Sequence, residues 1–485
     1  MIQYISTRGG IDPVNFDEAL LQGFAGDGGL FVPQTIPKIS REQLKKFSGL
    51  SYTDLAFEIL SLFIDPGIIP KKDLRRLIDT SFAGFEHPDI LPVKPCTTDP
   101  SLFIMELFHG PTLSFKDIAM GFLINTMDYL LQKKNERLTL VLATTGDTGP
   151  AAAHAAAGKK TIDCWPLYPK GMITREQERQ MTTLGATNVH PVGVENCADG
   201  GDDLDLVVAK LFNDPLLKKK LNLSSVNSIN WCRVMVQSIH YFYGYFQTCE
   251  AIGDPIVFCV PSGAFGNLFA GYLAREMGLP VTGFICANNA NKALHTAFST
   301  GIFKKEDLKQ TLSSAIDIVV PYNFWRFLYF TTGCNPEKIK AWMDQFQQTG
   351  QIQLDKESAD AIQNGYSSVS ISDPETLMTI RKNFRAEKSY LLDPHGAVAM
   401  AAARTLRKTY SPETRIICLA TAHPAKFPEI TARALGPDLP DQAFHPSLIK
   451  ASQACQELRI CDCEHLESAL VHAMEEEAKK RENHG

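Results

Sequence analysis

Leu138-Thr139-Leu140-Val141-Leu142-Ala143 runs without a break into Thr144-Thr145-Gly146-Asp147-Thr148-Gly149 and then into Pro150-Ala151-Ala152-Ala153-His154-Ala155-Ala156-Ala157. A short continuous apolar run bounded by turn residues reads as a buried strand, and a small-residue run opened by proline reads as a helix. Strand, glycine-bearing loop and helix in that order predict an α/β fold with mostly parallel sheet covered by helices. The loop lies at the strand's carboxyl end, where open α/β sheets hold their ligands. Backbone N–H groups freed at the helix start, with threonine hydroxyls beside them, suit an anion. The same residues serve equally well as a plain N-capping loop.

Working upstream, the pattern repeats. Leu102–Phe108 is apolar enough for a buried strand, and residues from Ile118 to Leu131 carry apolar side chains at helical spacing. Between them, His109-Gly110-Pro111-Thr112-Leu113-Ser114-Phe115-Lys116-Asp117 places one lysine at the mouth of a loop. Lys116 is either a solvated charge at a helix start, with Asp117 favouring the helix dipole, or a nucleophilic amine for a carbonyl cofactor. Downstream, Ile256–Val260 leads into Pro261-Ser262-Gly263-Ala264-Phe265-Gly266-Asn267 and a third helix. Gly263 and Gly266 let backbone amides approach a phosphate. The loop lacks the Gly-Lys-Ser/Thr ending of a nucleotide P-loop and the G-x-G-x-x-G of a dinucleotide site. Asn227-Ser228-Ile229-Asn230-Trp231-Cys232-Arg233 precedes a long aromatic helix whose stripe reads as core. Its arginine offers a planar fork for phosphate or carboxylate and is otherwise a salt-bridge residue. Further on, Asp393-Pro394-His395-Gly396 opens a helix, and the strand Arg415–Ala420 ends in Thr421-Ala422-His423-Pro424, where the Thr421 hydroxyl could face a heteroaromatic nitrogen and the two histidines read as structural.

The rest of the chain sets bounds. Its 485 residues are 44% hydrophobic and 21% charged, enough for two or three domains at about 150 residues each. A net charge of −6 with no run of one sign argues against a nucleic-acid partner. No stretch of about 18 uninterrupted apolar residues offers a membrane span, and the N-terminus carries neither signal-peptide nor transit-peptide pattern, so the cytoplasm is expected. The 12 cysteines are scattered, and several, such as Cys259 and Cys418, sit in apolar runs as reduced core residues. Cys461-Asp462-Cys463-Glu464-His465 lacks ordinary zinc spacing, and no metal is expected. The glycine knot at 23–29, with Asp27, has the composition of an anion cradle but reads more simply as a turn of the chain. Residues 1–95 form an expected N-terminal unit, 96–445 a catalytic region of two α/β subdomains, and 446–485 a helical C-terminal segment with a frayed tail.

In this order the motifs resemble those of the threonine synthase family, from Tyr4–Gly9 and Asp27–Pro33 through the loops above to Thr421–Pro428. The resemblance implies fold type II (tryptophan synthase β-like), pyridoxal 5′-phosphate (PLP) as cofactor, two open, mostly parallel sheets and a helical N-terminal unit. It assigns Lys116 as the Schiff-base lysine, Gly263, Ala264, Phe265, Gly266 and Asn267 as the cofactor phosphate loop, and Thr421 as the hydroxyl facing the pyridine nitrogen. Thr144, Thr145, Gly146, Asp147 and Thr148 match the loop for the substrate carboxylate, and Asn227 and Arg233 match donors to the substrate phosphate. Relatives carrying asparagine at the position of Asp147 place it near the cofactor's ring oxygen. Departures are Ala264 where many relatives have asparagine, Thr144-Thr145 where a serine is common, and Gly26 where proline is usual. Within the family the resemblance points to the vertebrate branch regarded as phospho-lyases, acting on O-phosphohomoserine or O-phosphothreonine to give 2-oxobutyrate, ammonia and phosphate. The alternatives are a threonine synthase and a PLP-binding module without turnover.

Overall fold

The computed structural model describes residues 2–198 and 200–482. The tail expected to fray thus begins at the edge of, and residues 483–485 lie outside, the described residues. The chain forms two compact units, one made of residues up to Phe122 with Ser228–Phe444, the other of Leu123–Asn227 with residues from His445 onward.

The first unit is built on a six-stranded sheet in the order Tyr366–Ser370, Gly283–Asn288, Ile256–Pro261, Arg415–Ala420, Leu102–Glu106, Val93–Pro95. All neighbours are parallel except the last pair, where Val93 faces Met105. Ile256–Pro261 and Gly283–Asn288 are buried along their whole length, which is why they read as uninterrupted apolar runs rather than alternating ones. Chain order winds outward from Ile256–Pro261 through Gly283–Asn288 to Tyr366–Ser370, then returns on the opposite side with Arg415–Ala420. That reversal is a topological switch point, and in open α/β sheets the ends of strands at such a point are where ligands are held. One hydrophobic cluster joins the sheet, through Val257, Ile285 and Ile416, to the helix Pro394–Leu406, through Val398 and Met400.

The N-terminal residues contribute a short antiparallel pair, Tyr4–Ser6 with Phe31–Pro33, and the helices Phe16–Gln22, Arg41–Phe47, Tyr52–Leu60 and Lys71–Phe82. The glycine knot between the paired strands turns the chain: Asp27 accepts from the Ser6 hydroxyl at 2.7 Å and from the N–H groups of Gly10 and Gly29 at 2.7 and 2.9 Å.

The second unit carries a parallel five-stranded sheet in the order Arg459–Asp462, Val192–Glu195, Ile162–Pro169, Leu138–Ala143, Leu223–Ser224. The C-terminal segment contains the expected helices, Pro446–Gln453 and Leu466–Glu482, but between them lies a strand that the helical reading missed. Arg459–Asp462 is an edge strand, exposed or half-buried throughout, so it shows none of the apolar character by which the inner strands betray themselves. Leu466, Leu470 and Met474 of the last helix join Trp165, Val192, Leu204 and Leu211 in the core of this unit. Among the described residues no helix is long and apolar enough to cross a membrane.

Candidate active site

The expected helix after Lys116 spans Lys116–Lys134, so the lysine stands at its first residue. The preceding loop is tightly determined. Asp117 accepts from the Thr112 N–H at 2.9 Å and the Thr112 hydroxyl at 2.6 Å, and a Cβ on Gly110 would lie 2.5 Å from the Asp117 Cβ. Leu113 adopts φ 60°, a left-handed conformation unfavourable for leucine and held here by its surroundings. The Phe115 N–H donates to the Thr421 carbonyl at 2.8 Å, the His423 N–H to the Leu113 carbonyl at 3.0 Å, and the buried Lys426 ammonium to the Thr112 carbonyl at 3.0 Å. The Lys116 and Thr421 loops are therefore strapped together at the carboxyl ends of adjacent strands. The Lys116 Nζ lies 4.3 Å from the Phe115 ring centroid.

The next strand end carries Gly263–Asn267. Helix Gly266–Glu276 begins here behind Phe265, which is left-handed at φ 63°. Among the described residues the N–H groups from Gly263 through Leu268 donate to no carbonyl or side chain. Asn267 turns its Oδ1 toward the Tyr241 hydroxyl and His240 Nε2, both at 2.9 Å, which leaves its buried Nδ2 without an acceptor among the described residues. Burial holds the His240 imidazole neutral, its pKa pulled down to about 3. Such a run of unsatisfied donors at a helix start calls for an anion.

Arg233 sits in the first turn of the helix Trp231–Thr248 and is 1% exposed. Burial lowers its pKa to about 10 against the opposing pull of Cys232 and Asp117. It stays protonated at neutral pH, within electrostatic reach of the residue that follows Lys116. The aromatic stripe of this helix is core, as read. His395 is structural as well: its Nδ1 faces Asp393 at 2.8 Å, and its Nε2 accepts from the Ala315 N–H at 3.1 Å.

The first unit thus brings Lys116, Thr421, the Gly263–Asn267 loop and Arg233 onto one framework. The second unit carries Thr144–Thr148 and, at its boundary, Asn227. Thr144 Oγ1 accepts from the N–H groups of Gly146 and Gly149 at 3.1 and 2.9 Å, so it shapes the loop. Gly146 has φ 137°, and a Cβ there would lie 2.4 Å from Gln177. Asp147 receives the Gln177 amide at 3.0 Å. The Asn227 Oδ1 is buried without a hydrogen-bond partner among the described residues. Of the C-terminal cysteine cluster, Cys463 falls within 4.8 Å of Cys197 and Asp203, measured between their potential ligand atoms.

Residues 3–82 match the model of the threonine synthase N terminus, 93–422 that of pyridoxal-phosphate dependent enzymes, and 396–470 that of the threonine synthase C-terminal region. Threonine synthase-like 2 of Pongo abelii is 41% identical over 443 residues, covering 90% of each chain. Threonine synthase of Schizosaccharomyces pombe is 37% identical over 465 residues, covering 90% of this chain and 89% of its own. The chain belongs to the threonine synthase family. A crystal structure of PLP-bound threonine synthase from Brucella melitensis superposes with a TM-score of 0.88 at 36% identity, covering 97% of this chain and 99% of its own.

Membership of this family confirms the fold type II architecture and makes the chain a PLP-dependent enzyme. The residues present fit the cofactor: a nest of free amides with a buried Asn267 donor suits its phosphate, and a half-buried Lys116 stands two strands away on the same sheet edge. Ala264 offers no side-chain donor, but the loop's amides remain. Sequence reading missed the groups behind this loop: His240, Tyr241, Asn323 and Arg326. The one signal available was an arginine inside the aromatic run Asn323-Phe324-Trp325-Arg326-Phe327.

Proposed function

We propose that the protein is a PLP-dependent phospho-lyase that eliminates phosphate from O-phosphohomoserine, O-phosphothreonine or both, giving 2-oxobutyrate, ammonia and phosphate. The observation that carries this reading is the 41% identity with a threonine synthase-like 2 protein over nine-tenths of the chain. When bound, the cofactor supplies an electron sink that makes protons on the substrate's α and β carbons removable.

In this reading Lys116 holds the cofactor through its ε-amine and, once released by substrate, takes and returns those protons. The amides of Gly263–Asn267 grip the cofactor phosphate, and the Thr421 hydroxyl faces the pyridine nitrogen. Thr144–Thr148 receive the substrate's carboxylate, while Asn227 and Arg233 hold its phosphate. A buried, protonated Arg233 attracts a leaving dianion more strongly than a solvated arginine would.

The 37% identity with a threonine synthase supports a second reading, in which the same phosphohomoserine yields threonine. Both outcomes consume one water and release one phosphate. They differ in whether water adds at the β carbon or hydrolysis frees the oxo acid, a matter of positioning one water. Incubating the purified protein with each phosphoamino acid and quantifying 2-oxobutyrate, threonine and phosphate separates them. The lyase reading expects 2-oxobutyrate to track phosphate one for one, and threonine as the main product overturns it. Absence of phosphate release from PLP-loaded protein would leave a binding module.

A further inference from the structure

Arg326 is 0% exposed, and among the described residues no carboxylate pairs with it. Its Nε donates to the Phe31 carbonyl at 3.0 Å, its Nη1 to the Asn323 Oδ1 at 2.6 Å, and its Nη2 to the Ile229 carbonyl; its guanidinium carbon lies 5.8 Å from the Trp231 ring centroid. Burial lowers its pKa to about 9, which still leaves it charged at neutral pH. A buried charge without a counter-charge is costly, and neutral carbonyls offset only part of that cost.

What Arg326 touches leads to the phosphate loop. Because an arginine only donates, its bond to Oδ1 fixes which way the Asn323 amide points. Asn323 Nδ2 then donates to the carbonyls of Ala264 and Ser228 at 3.2 and 3.1 Å, and the Asn323 N–H reaches the Ala264 carbonyl at 3.3 Å. In a trans peptide the C=O and the next N–H point in opposite directions. Holding the Ala264 carbonyl toward Asn323 therefore turns the Phe265 N–H away, into the run of free donors. The same amide packs on the loop's second glycine, where a Cβ on Gly266 would lie 3.1 Å from Asn323 Nδ2.

We propose that Arg326 is the buried counter-charge of the cofactor phosphate and, through Asn323, the positioning residue that sets the Ala264 peptide in the loop receiving it. The inference rests on the assignment of Gly263–Asn267 to the phosphate and is independent of the reaction's product. It explains how this loop, with alanine at position 264, holds a dianion: positive charge comes from behind the backbone rather than from a side chain in the loop.

The test compares PLP with pyridoxal, which lacks the phosphate, by titrating both into PLP-free protein and by melting the free and loaded forms. Arg326→Met is expected to bind PLP tenfold or more weakly, to bind pyridoxal within twofold of wild type, and to melt no lower than wild type when PLP-free. Asn323→Ala keeps the guanidinium but severs its link to Ala264, and is expected to lose PLP affinity in the same direction. This second measurement decides the matter if Arg326→Met does not fold. Equal losses for PLP and pyridoxal, equal drops in melting temperature with and without PLP, or unchanged PLP affinity overturn the proposal. Asn267→Ala separates the two levels. If it weakens PLP binding while both other variants leave it unchanged, only the role of Arg326 fails; if none of the three does, the loop assignment fails with it.

Discussion

At the scale of single residues, Lys116 carries the proposed chemistry most directly. Lys116→Ala is expected to abolish the visible absorption of lysine-linked PLP and to slow phosphate release by about 10³-fold or more, the range associated with removing a group that transfers protons. Absorbance and phosphate assays on the purified variant check both. Glu106 carries a different prediction. It is 2% exposed and accepts from the Lys94 ammonium at 2.7 Å and the Tyr390 hydroxyl at 2.8 Å, with His109 Nε2 at 2.8 Å on its other oxygen. Burial alone would raise its pKa, but the bonds from His109, Lys94 and Tyr390 together bring it from 4.5 down to about 2. A carboxylate whose folded pKa is depressed adds stability above its unfolded pKa and loses it as pH falls. The contribution, about 3 kcal/mol at about 1.4 kcal/mol per pKa unit, is expected to vanish between pH 4.5 and 2. Urea unfolding across that range, in wild type and Glu106→Gln, should show a steeper loss for wild type.

At the scale of elements, the loops explain why some of the site was readable and some was not. Ile256–Pro261 announces itself because a strand buried on both faces must be apolar throughout, Leu138–Ala143 departs from that only at the half-buried Thr139, and the glycines after them mark where backbone comes close to other atoms. The edge strand Arg459–Asp462 makes no such demand on sequence and was invisible. Asn323 and Arg326 were invisible for another reason: their role depends on a loop about sixty positions away in the chain, and local pattern says nothing about such pairing. The glycine at 110 gives an element-level test. Gly110→Ala puts a methyl group against Asp117, which braces Thr112, and is expected to cost about 1–3 kcal/mol with a fall in turnover larger than the fall in stability explains. Thermal melts and kinetics of the same preparation decide this.

At the scale of the whole molecule, both units are assembled from separated stretches of chain, a property that the ordered motifs did not reveal because they name strands without saying which lie side by side. The second unit needs its C-terminal part, since Leu466, Leu470 and Met474 complete the cluster around Trp165 and Leu204. A fragment of residues 123–227 alone is expected to remain molten, binding a hydrophobic dye and lacking dispersed NMR signals. Addition of the 445–485 fragment should restore a cooperative transition. A cooperative fold in the shorter fragment would show that the last helix is dispensable.

The position of Arg415–Ala420 bears on how the chain is made. This strand lies in the middle of its sheet, between Ile256–Pro261 and Leu102–Glu106, yet it is the last of the six to leave the ribosome. Until then the two neighbouring strands present unpaired, apolar edges, the kind of surface that invites wrong partners during synthesis. Thr421 follows immediately, so the hydroxyl proposed to face the cofactor's ring is placed in the same late step. A nascent chain stalled before residue 415 is therefore a natural client for chaperones, and on the proposed site assignment it is not yet expected to retain PLP.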